Sequence, residues 1–259
     1  MNTELKNTLA QADTIKERLQ KARPFDIEAL NKIKAAFEIE YTYESNKIEG
    51  NTLTLQETAL VINEGVTIGG KSMREHLEAI NHSQAVEFIK GIAGADIDIT
   101  ERIIREIHAI ILHGINKENA GKYRNVPVMI VGSRHLPPQP YLIPPQMENF
   151  MFEYKQMETA GTHPIIIAAY LHNELVKIHP FIDGNGRTSR LLMNLYLISK
   201  GYTITSLKAD NEAKQAYYTV LEQSHTEDNR EPFYLLVANA VTQSLEKYLN
   251  IVEVWTTIK

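Results

Sequence analysis

Two stretches near the middle of this chain are apolar on nearly every side, and only twelve residues separate them. Pro164 to Ile178 is almost continuously aliphatic, and Leu191, Leu192, Met193, Leu195, Leu197 and Ile198 follow the break and run up to Gly201. A helix that is apolar all round cannot face water and belongs inside a domain. The fold is therefore expected to be built around this pair, with the intervening residues held by its most rigid part.

The flanking sequence supplies helices to cover that pair. Leu5, Leu9, Ala12, Ile15 and Leu19 recur at steps of three and four, which predicts an amphipathic helix to about Pro24. Its stripe could dock on the same domain or on a partner. A second helix is expected from near Asp26, turning Ile27, Leu30, Ile33, Ala36, Phe37 and Tyr41 inward and stopping at Glu49-Gly50-Asn51. Thr54-x-x-Glu57 and Ser72-x-x-Glu75 are capping boxes. Another helix opens at Thr100 and buries Ile103, Ile104, Ile107 and Ile110. Helices near 208–225 and 231–250 close the chain.

One region reads differently. Val126-Pro127-Val128-Met129-Ile130-Val131 is β-prone and is followed by Gly132, Pro137, Pro138, Pro140 and Tyr141-Leu142-Ile143. This predicts a small edge hairpin over about 126–145.

The break reads His179-Pro180-Phe181-Ile182-Asp183-Gly184-Asn185-Gly186-Arg187-Thr188-Ser189-Arg190. Gly184 and Gly186 tolerate positive φ, so Gly184-Asn185-Gly186 can form a nest of backbone N–H groups at the positive end of the next helix. That is a phosphate cradle. Arg187 and Arg190, three apart, can each clamp phosphate oxygens. Asp183 offers one carboxylate, sufficient for a magnesium ion that takes its other ligands from phosphates and water. His179 has the side chain best placed to accept a hydroxyl proton near neutral pH. The nucleophile must come from the substrate, because the chain has no cysteine and this segment has no recognisable Ser-His spacing. Taken singly, each feature has ordinary structural uses; together they describe one site.

Position for position, the segment resembles the motif H-P-F-x-D/E-G-N-G-R-x-x-R of the Fic (Fido) family, whose members transfer AMP from ATP to protein hydroxyls. The resemblance implies a mainly α fold, a Fic-type helical bundle with a small β-hairpin flap. It implies that His179 is catalytic, that Asp183 binds Mg2+, and that Gly184, Asn185, Gly186, Arg187 and Arg190 hold ATP as substrate. Leu171 to Ile178 looks like the helix leading into the motif, and Gly121-Lys122-Tyr123-Arg124 like the start of the target-positioning flap. The related Doc-type kinases typically alter the Gly-Asn-Gly-Arg portion, which this chain keeps, so AMP transfer is favoured over phosphate transfer.

Ser45-Asn46-Lys47-Ile48-Glu49-Gly50 also fits the family's inhibitory pattern S/T-x-x-x-E-G/N. The implied role of Glu49, with Ser45, is to engage Arg190 and deny it to the nucleotide. The organisation implied is an N-terminal helical region at 1–95 with an inhibitory helix at about 26–50, a core at 96–205 with its active-site loop at 179–190, and closing helices at 206–259. The same site could instead remove AMP, with Glu49 helping to activate water, or serve as a nucleotide-binding regulatory module. Asn211, Tyr217 and Tyr218 could contact adenine or simply pack.

The implied partners are ATP and a protein presenting a Tyr, Thr or Ser hydroxyl, the chain itself included; a homodimer is a family-level expectation. A net charge of −5 gives no reason to expect nucleic acid. With no cysteine there is no disulfide and no thiolate site. The charged N-terminus and the absence of a membrane-length apolar run argue against a membrane and for the cytoplasm.

Overall fold

The structure, a computed structural model, describes residues 1–22, 27–94 and 97–257. The expected helix limits at Pro24 and Asp26, and the expected boundary between residues 95 and 96, lie outside them, as does the side chain of Ile27.

Helix α1, Thr3–Lys21, starts where the Asn2 side chain accepts the Leu5 N–H at 2.8 Å. Its stripe of Leu5, Leu9, Ala12 and Ile15 is buried against α10, Glu231–Thr257. The stripe therefore docks on its own domain. Helix α2, Ile27–Ile48, buries Ile33, Phe37, Tyr41 and Ile48. Ala36, expected inward, is exposed, because the buried row follows 33, 37 and 41 and leaves it on the solvent side.

Helices α3, Leu55–Glu64, and α4, Met73–Ile92, both open with complete capping boxes at Thr54/Glu57 and Ser72/Glu75. Helix α5, Glu101–Ile111, is capped by Thr100 and buries Ile104, Ile107 and Ile111, with Ile103 and Ile110 packed at the margin. Helix α6 spans Ile143–Thr159.

At the centre lie α7, Pro164–Ile178, and α8, Asn185–Ser199, packed along each other as their all-round apolarity requires. Ile165, Ala168, Leu171 and Leu175 of α7 and Leu191, Leu192 and Leu195 of α8 are completely buried. Each such leucine or isoleucine contributes roughly 1.5–3 kcal/mol from burial. Helix α9, Asn211–Thr226, and α10 complete the bundle, and one apolar cluster draws on every helix but α3, whose Val61 packs in a smaller cluster with Leu53 and Ala79.

The fold is mainly helical, and no strand occurs among the described residues. The β-hairpin expected over about 126–145 is instead a turn-broken extended segment to residue 139. A 3-10 turn, Pro140–Leu142, and the start of α6 follow it. Pro127, Pro137, Pro138 and Pro140 remove ladder donors. The β-prone side chains also have no face to cover: Met129 is 80 % and Val131 100 % exposed. Among the described residues no helix is long and apolar enough to cross a membrane.

Candidate active site

The junction between α7 and α8 is shaped residue by residue. Helix α7 stops at His179, which adopts left-handed backbone (φ 50°) while its N–H still bonds to Leu175 O at 3.0 Å. A non-glycine residue held there stores about 1–2 kcal/mol of strain, the kind found where function dictates conformation. The imidazole Nδ1 lies 3.3 Å from Val176 O. A carbonyl can only accept, so the proton sits on Nδ1 and the Nε2 lone pair is left to receive another. Burial pushes the His179 pKa down to about 4, outweighing the Val176 contact. The ring is neutral at pH 7, as a general base must be.

Asn185 closes the turn from inside. Its Oδ1 accepts the Phe181 N–H at 3.0 Å and its Nδ2 donates to Phe181 O at 2.9 Å. Its side chain is therefore occupied with backbone, and any part it takes in anion binding falls to its N–H. Gly184 caps α8 at φ 77°, with Ile111 Cγ2 only 3.3 Å from where a Cβ would stand. Gly186 differs from expectation: it lies inside α8 and is not at positive φ. Space explains it, because a Cβ there would run into the Glu49 carboxylate.

The two arginines part company. Arg187 turns toward α4, with Nη1 3.2 Å from Glu78 Oε1 and Nη2 3.4 Å from Asp183 Oδ1. Its buried Nε has no hydrogen-bond partner, while Nη1 faces the Glu78 carboxylate as an ion pair. Arg190 turns toward α2 and is 1 % exposed. Its Nε donates to Ser45 Oγ and its Nη2 to Ser45 O, both at 2.9 Å, and Nη2 reaches Glu49 Oε1 at 2.6 Å. Burial alone would lower its pKa; Glu49 and the neighbouring tyrosines raise it instead. The sequence-derived pairing of Glu49 and Arg190 is thus present, with Ser45 supplying two of the three bonds.

Asp183 is half-buried. Its Oδ1 accepts the Gly184 N–H at 2.6 Å, and Arg74 of α4 holds Oδ2 at 2.6 Å. Burial would raise its pKa, but Arg187, Gly184 and Arg74 hold it below the usual carboxylate range. No group of three or more metal-ligating side chains occurs among the described residues. A cation at Asp183 would have to displace Arg74 and bring most of its own ligands, which suits magnesium carried by a polyphosphate.

Two residues that shape the junction have no role of their own in the sequence reading, where Arg124 appears only within the Gly121–Arg124 start of the flap. Arg124, 3 % exposed, donates from Nε to His179 O at 2.8 Å, from Nη1 to Val126 O at 3.0 Å and from Nη2 to Pro138 O at 2.6 Å. One guanidinium thus ties both legs of the 126–139 segment to the carbonyl of His179. His108 accepts the Gly121 N–H at Nδ1 and donates from Nε2 to Asp183 O, each at 2.9 Å, while stacking on Phe181 at 3.7 Å. Its signal was a histidine on the apolar face of α5, between Ile104 and Ile111; the signal for Arg124 was an arginine directly before the β-prone run.

A cleft of about 790 Å3 opens beside the junction. His179, Gly186 and Glu49 form its floor, residues 130–134 one wall and α9 the other. Asn211, Tyr217 and Tyr218 all line it. Tyr217 is nonetheless buried, its hydroxyl 3.1 Å from His172 Nε2 and 3.5 Å from Arg190 Nη1. Tyr218 donates to Ile48 O at 3.2 Å.

Comparison with known proteins gives this geometry a context. The Fic/DOC family profile matches residues 98–197. The protein named Protein adenylyltransferase Fic from Drosophila persimilis is 35 % identical over 221 residues, 85 % of this chain and 42 % of that relative. The chain therefore spans less than half the length of the curated relatives it matches. Among solved structures, Fic-1 from C. elegans aligns with a TM-score of 0.86 at 28 % identity over 96 % of this chain and 73 % of that one. A Fic domain containing signaling protein from Bacteroides thetaiotaomicron aligns at TM-score 0.82 and 27 % identity over 97 % of both chains.

Proposed function

Because residues 98–197 are a domain of the Fic/DOC family, we propose that this chain is a self-restrained protein adenylyltransferase. It moves AMP from Mg-ATP to a Tyr, Thr or Ser hydroxyl of a protein, in the cytoplasm. The contact of Arg190 with Ser45 and Glu49 carries the proposal. A buried guanidinium without an anionic partner costs several kcal/mol, so Glu49 and a nucleotide phosphate are alternative partners for one charge. With Glu49 in place, the phosphate end of the cleft is closed by a like charge. Glu49 is a third exposed and lies one residue beyond the end of α2, so its side chain can swing out while Ser45 keeps hold of Arg190.

The geometry supports the following roles. The target hydroxyl gives its proton to Nε2 of His179. Its oxygen bonds to the α-phosphorus, the bond from that phosphorus to the bridging oxygen breaks, and pyrophosphate leaves. The Gly184-Asn185-Gly186 backbone at the start of α8, with Arg187 and Arg190, is suited to hold the phosphates. Asp183 would hold Mg2+, whose contribution when bound is to neutralise phosphate charge.

Labelled ATP tests this reading. Incubation with Mg-ATP labelled at the α- or the γ-phosphate, alone and with cell lysate, should leave only α-label on protein, either on a target or on the chain itself. Retained γ-label would mean kinase chemistry, and neither label would mean AMP removal or binding alone. Glu49→Gly should raise the α-signal at least about tenfold, the value of one charge-assisted contact. A variant no faster than the parent would sink the restraint. Adding His179→Ala to the released variant should remove about 10²–10⁴ of the rate.

A further inference from the structure

Residues 126–139 form one wall of the cleft without any ladder to hold them, and a loop of this length without secondary structure is uncommon unless it is functional. Arg124 fixes the base of that segment, but its guanidinium bonds end at Val126 and Pro138. The stretch that faces the cleft, Ile130 to Arg134, lies beyond its reach. What holds this stretch is Glu222 on α9, from the opposite wall. Glu222 Oε1 accepts the Arg134 N–H at 2.8 Å and Arg134 Nε at 3.1 Å. Glu222 Oε2 accepts a short bond from Ser133 Oγ. Ser133 Oγ in turn accepts the His135 N–H at 3.0 Å. The carboxylate is only 20 % exposed, and it satisfies a backbone donor that no strand partner serves.

We propose that Glu222 is a positioning residue that clasps the 130–134 wall across the cleft and so governs how long a nucleoside triphosphate stays bound. The identity of the occupant rests on the AMP-transfer reading; the clasp itself rests on the bonds above. The other contacts between the walls are looser: Arg134 Nη2 lies 3.9 Å from Glu227 Oε1 at the end of α9, and the His135 ring, just past this stretch, packs against His225 at 5.0 Å. Without the carboxylate, the Arg134 N–H and the Ser133 hydroxyl turn to water and the wall is free to move away from α9. The cleft then loses a side, while the junction at 179–190 is untouched. Glutamine is the informative replacement, because its amide oxygen can still accept from the Arg134 N–H while the charge is gone.

Glu222→Ala, Glu222→Gln and the parent chain are compared in two measurements. Hydrogen exchange of the nucleotide-free proteins should show the Arg134 and His135 amides at least about tenfold faster in the alanine variant, with the glutamine variant between, and the urea midpoint unchanged. Stopped-flow dissociation of the Mg2+ complex of a non-hydrolysable ATP analogue, measured with all three proteins carrying Glu49→Gly, should be several-fold faster for alanine and partly restored by glutamine. Equal exchange in all three proteins overturns the clasp. Faster exchange with unchanged analogue dissociation overturns its role in retention. Failure of the analogue to bind the Glu49→Gly chain, where the restraint is gone, would instead overturn the AMP-transfer reading, and the clasp would then be decided by the exchange rates alone.

Discussion

Residues 179–190 and residues 126–139 meet at one cleft but are ordered by opposite means. The first run is a short turn between two buried helices, and its shape is set from within by the left-handed His179, the Asn185 bridge to Phe181 and the stack of His108 on Phe181. The second lies on the surface with Val126, Met129, Val131 and Leu136 exposed, and what orders it comes from elsewhere, through Arg124 at its base and Glu222 near its tip. The difference suits the chemistry proposed. A base and a phosphate cradle must not move, whereas a wall that admits a nucleotide and a target must be able to.

Arg124 belongs to both regions, so its loss should have the largest effect. Arg124→Ala strips donors from His179 O, Val126 O and Pro138 O at once. Each orphaned, partly buried acceptor costs up to about 1–3 kcal/mol, with incomplete additivity. The expected loss is about 3 kcal/mol or more in urea unfolding, together with fast amide exchange through 126–139. Arg124→Lys, which cannot span three carbonyls, should recover only part of it. A loss under about 1 kcal/mol would mean that the two regions are ordered independently.

Asn185→Ala tests the junction alone. It removes both bonds to Phe181 and should cost about 1–3 kcal/mol, while exchange in 130–136 stays at the parent rate. If the flanking segment loosens equally, the junction is not the self-contained turn described above.

Acid should separate the regions as well. Burial holds His108 and His179 at about 4 in the folded chain, against about 6.5 when unfolded. Between those values the unfolded chain binds more protons, so stability rises with pH from about 4 to 6.5 and levels off above. Glu222 shifts the other way. Burial would raise its pKa, but Ser133 and Arg134 bring it below the ordinary glutamate value, so the clasp persists until the pH falls beneath that range. A series of urea midpoints should fall as pH drops through that window, in which exchange at Arg134, corrected for its intrinsic pH dependence, stays slow. A flat series would mean that these histidines titrate normally.

The sequence made the first region legible and the second only partly so, for physical reasons. Continuous apolarity in 164–178 and 191–198 admits one placement, and the spacing of His179, Asp183, Arg187 and Arg190 survives any helix-to-helix turn. Glu49 was legible through a short pattern, although the larger share of Ser45 in holding Arg190 was not. Gly186 was misread because its requirement is steric, created by a residue well over a hundred positions away. Over 126–131 the propensity was read correctly and the outcome was not. Propensity reports how a side chain fits a pleated, half-buried surface, and here neither the surface nor the donors exist. Arg124 and Glu222 act through long-range bonds to backbone, which leave no periodic trace in a sequence.

The smallest expected effect sharpens the contrast most directly. Val131→Ser replaces a β-branched apolar side chain that is completely exposed, so it removes no burial and opens no cavity. Its cost should stay within about 0.5 kcal/mol. Leu191→Ala, at a position with no exposure at all, should cost about 2–5 kcal/mol. Measured together under the same urea conditions, the pair compares an apolar residue on the wall of the cleft with one under its floor. If Val131→Ser were as destabilising as a core truncation, the segment would have to pack against something in solution. The picture of a wall held by polar contacts, those of Arg124 and Glu222 together with His135 on Lys177 O, would then give way to one with its own buried face. A null effect there, beside a several-kcal/mol effect at Leu191, would leave polar contacts as what orders the wall.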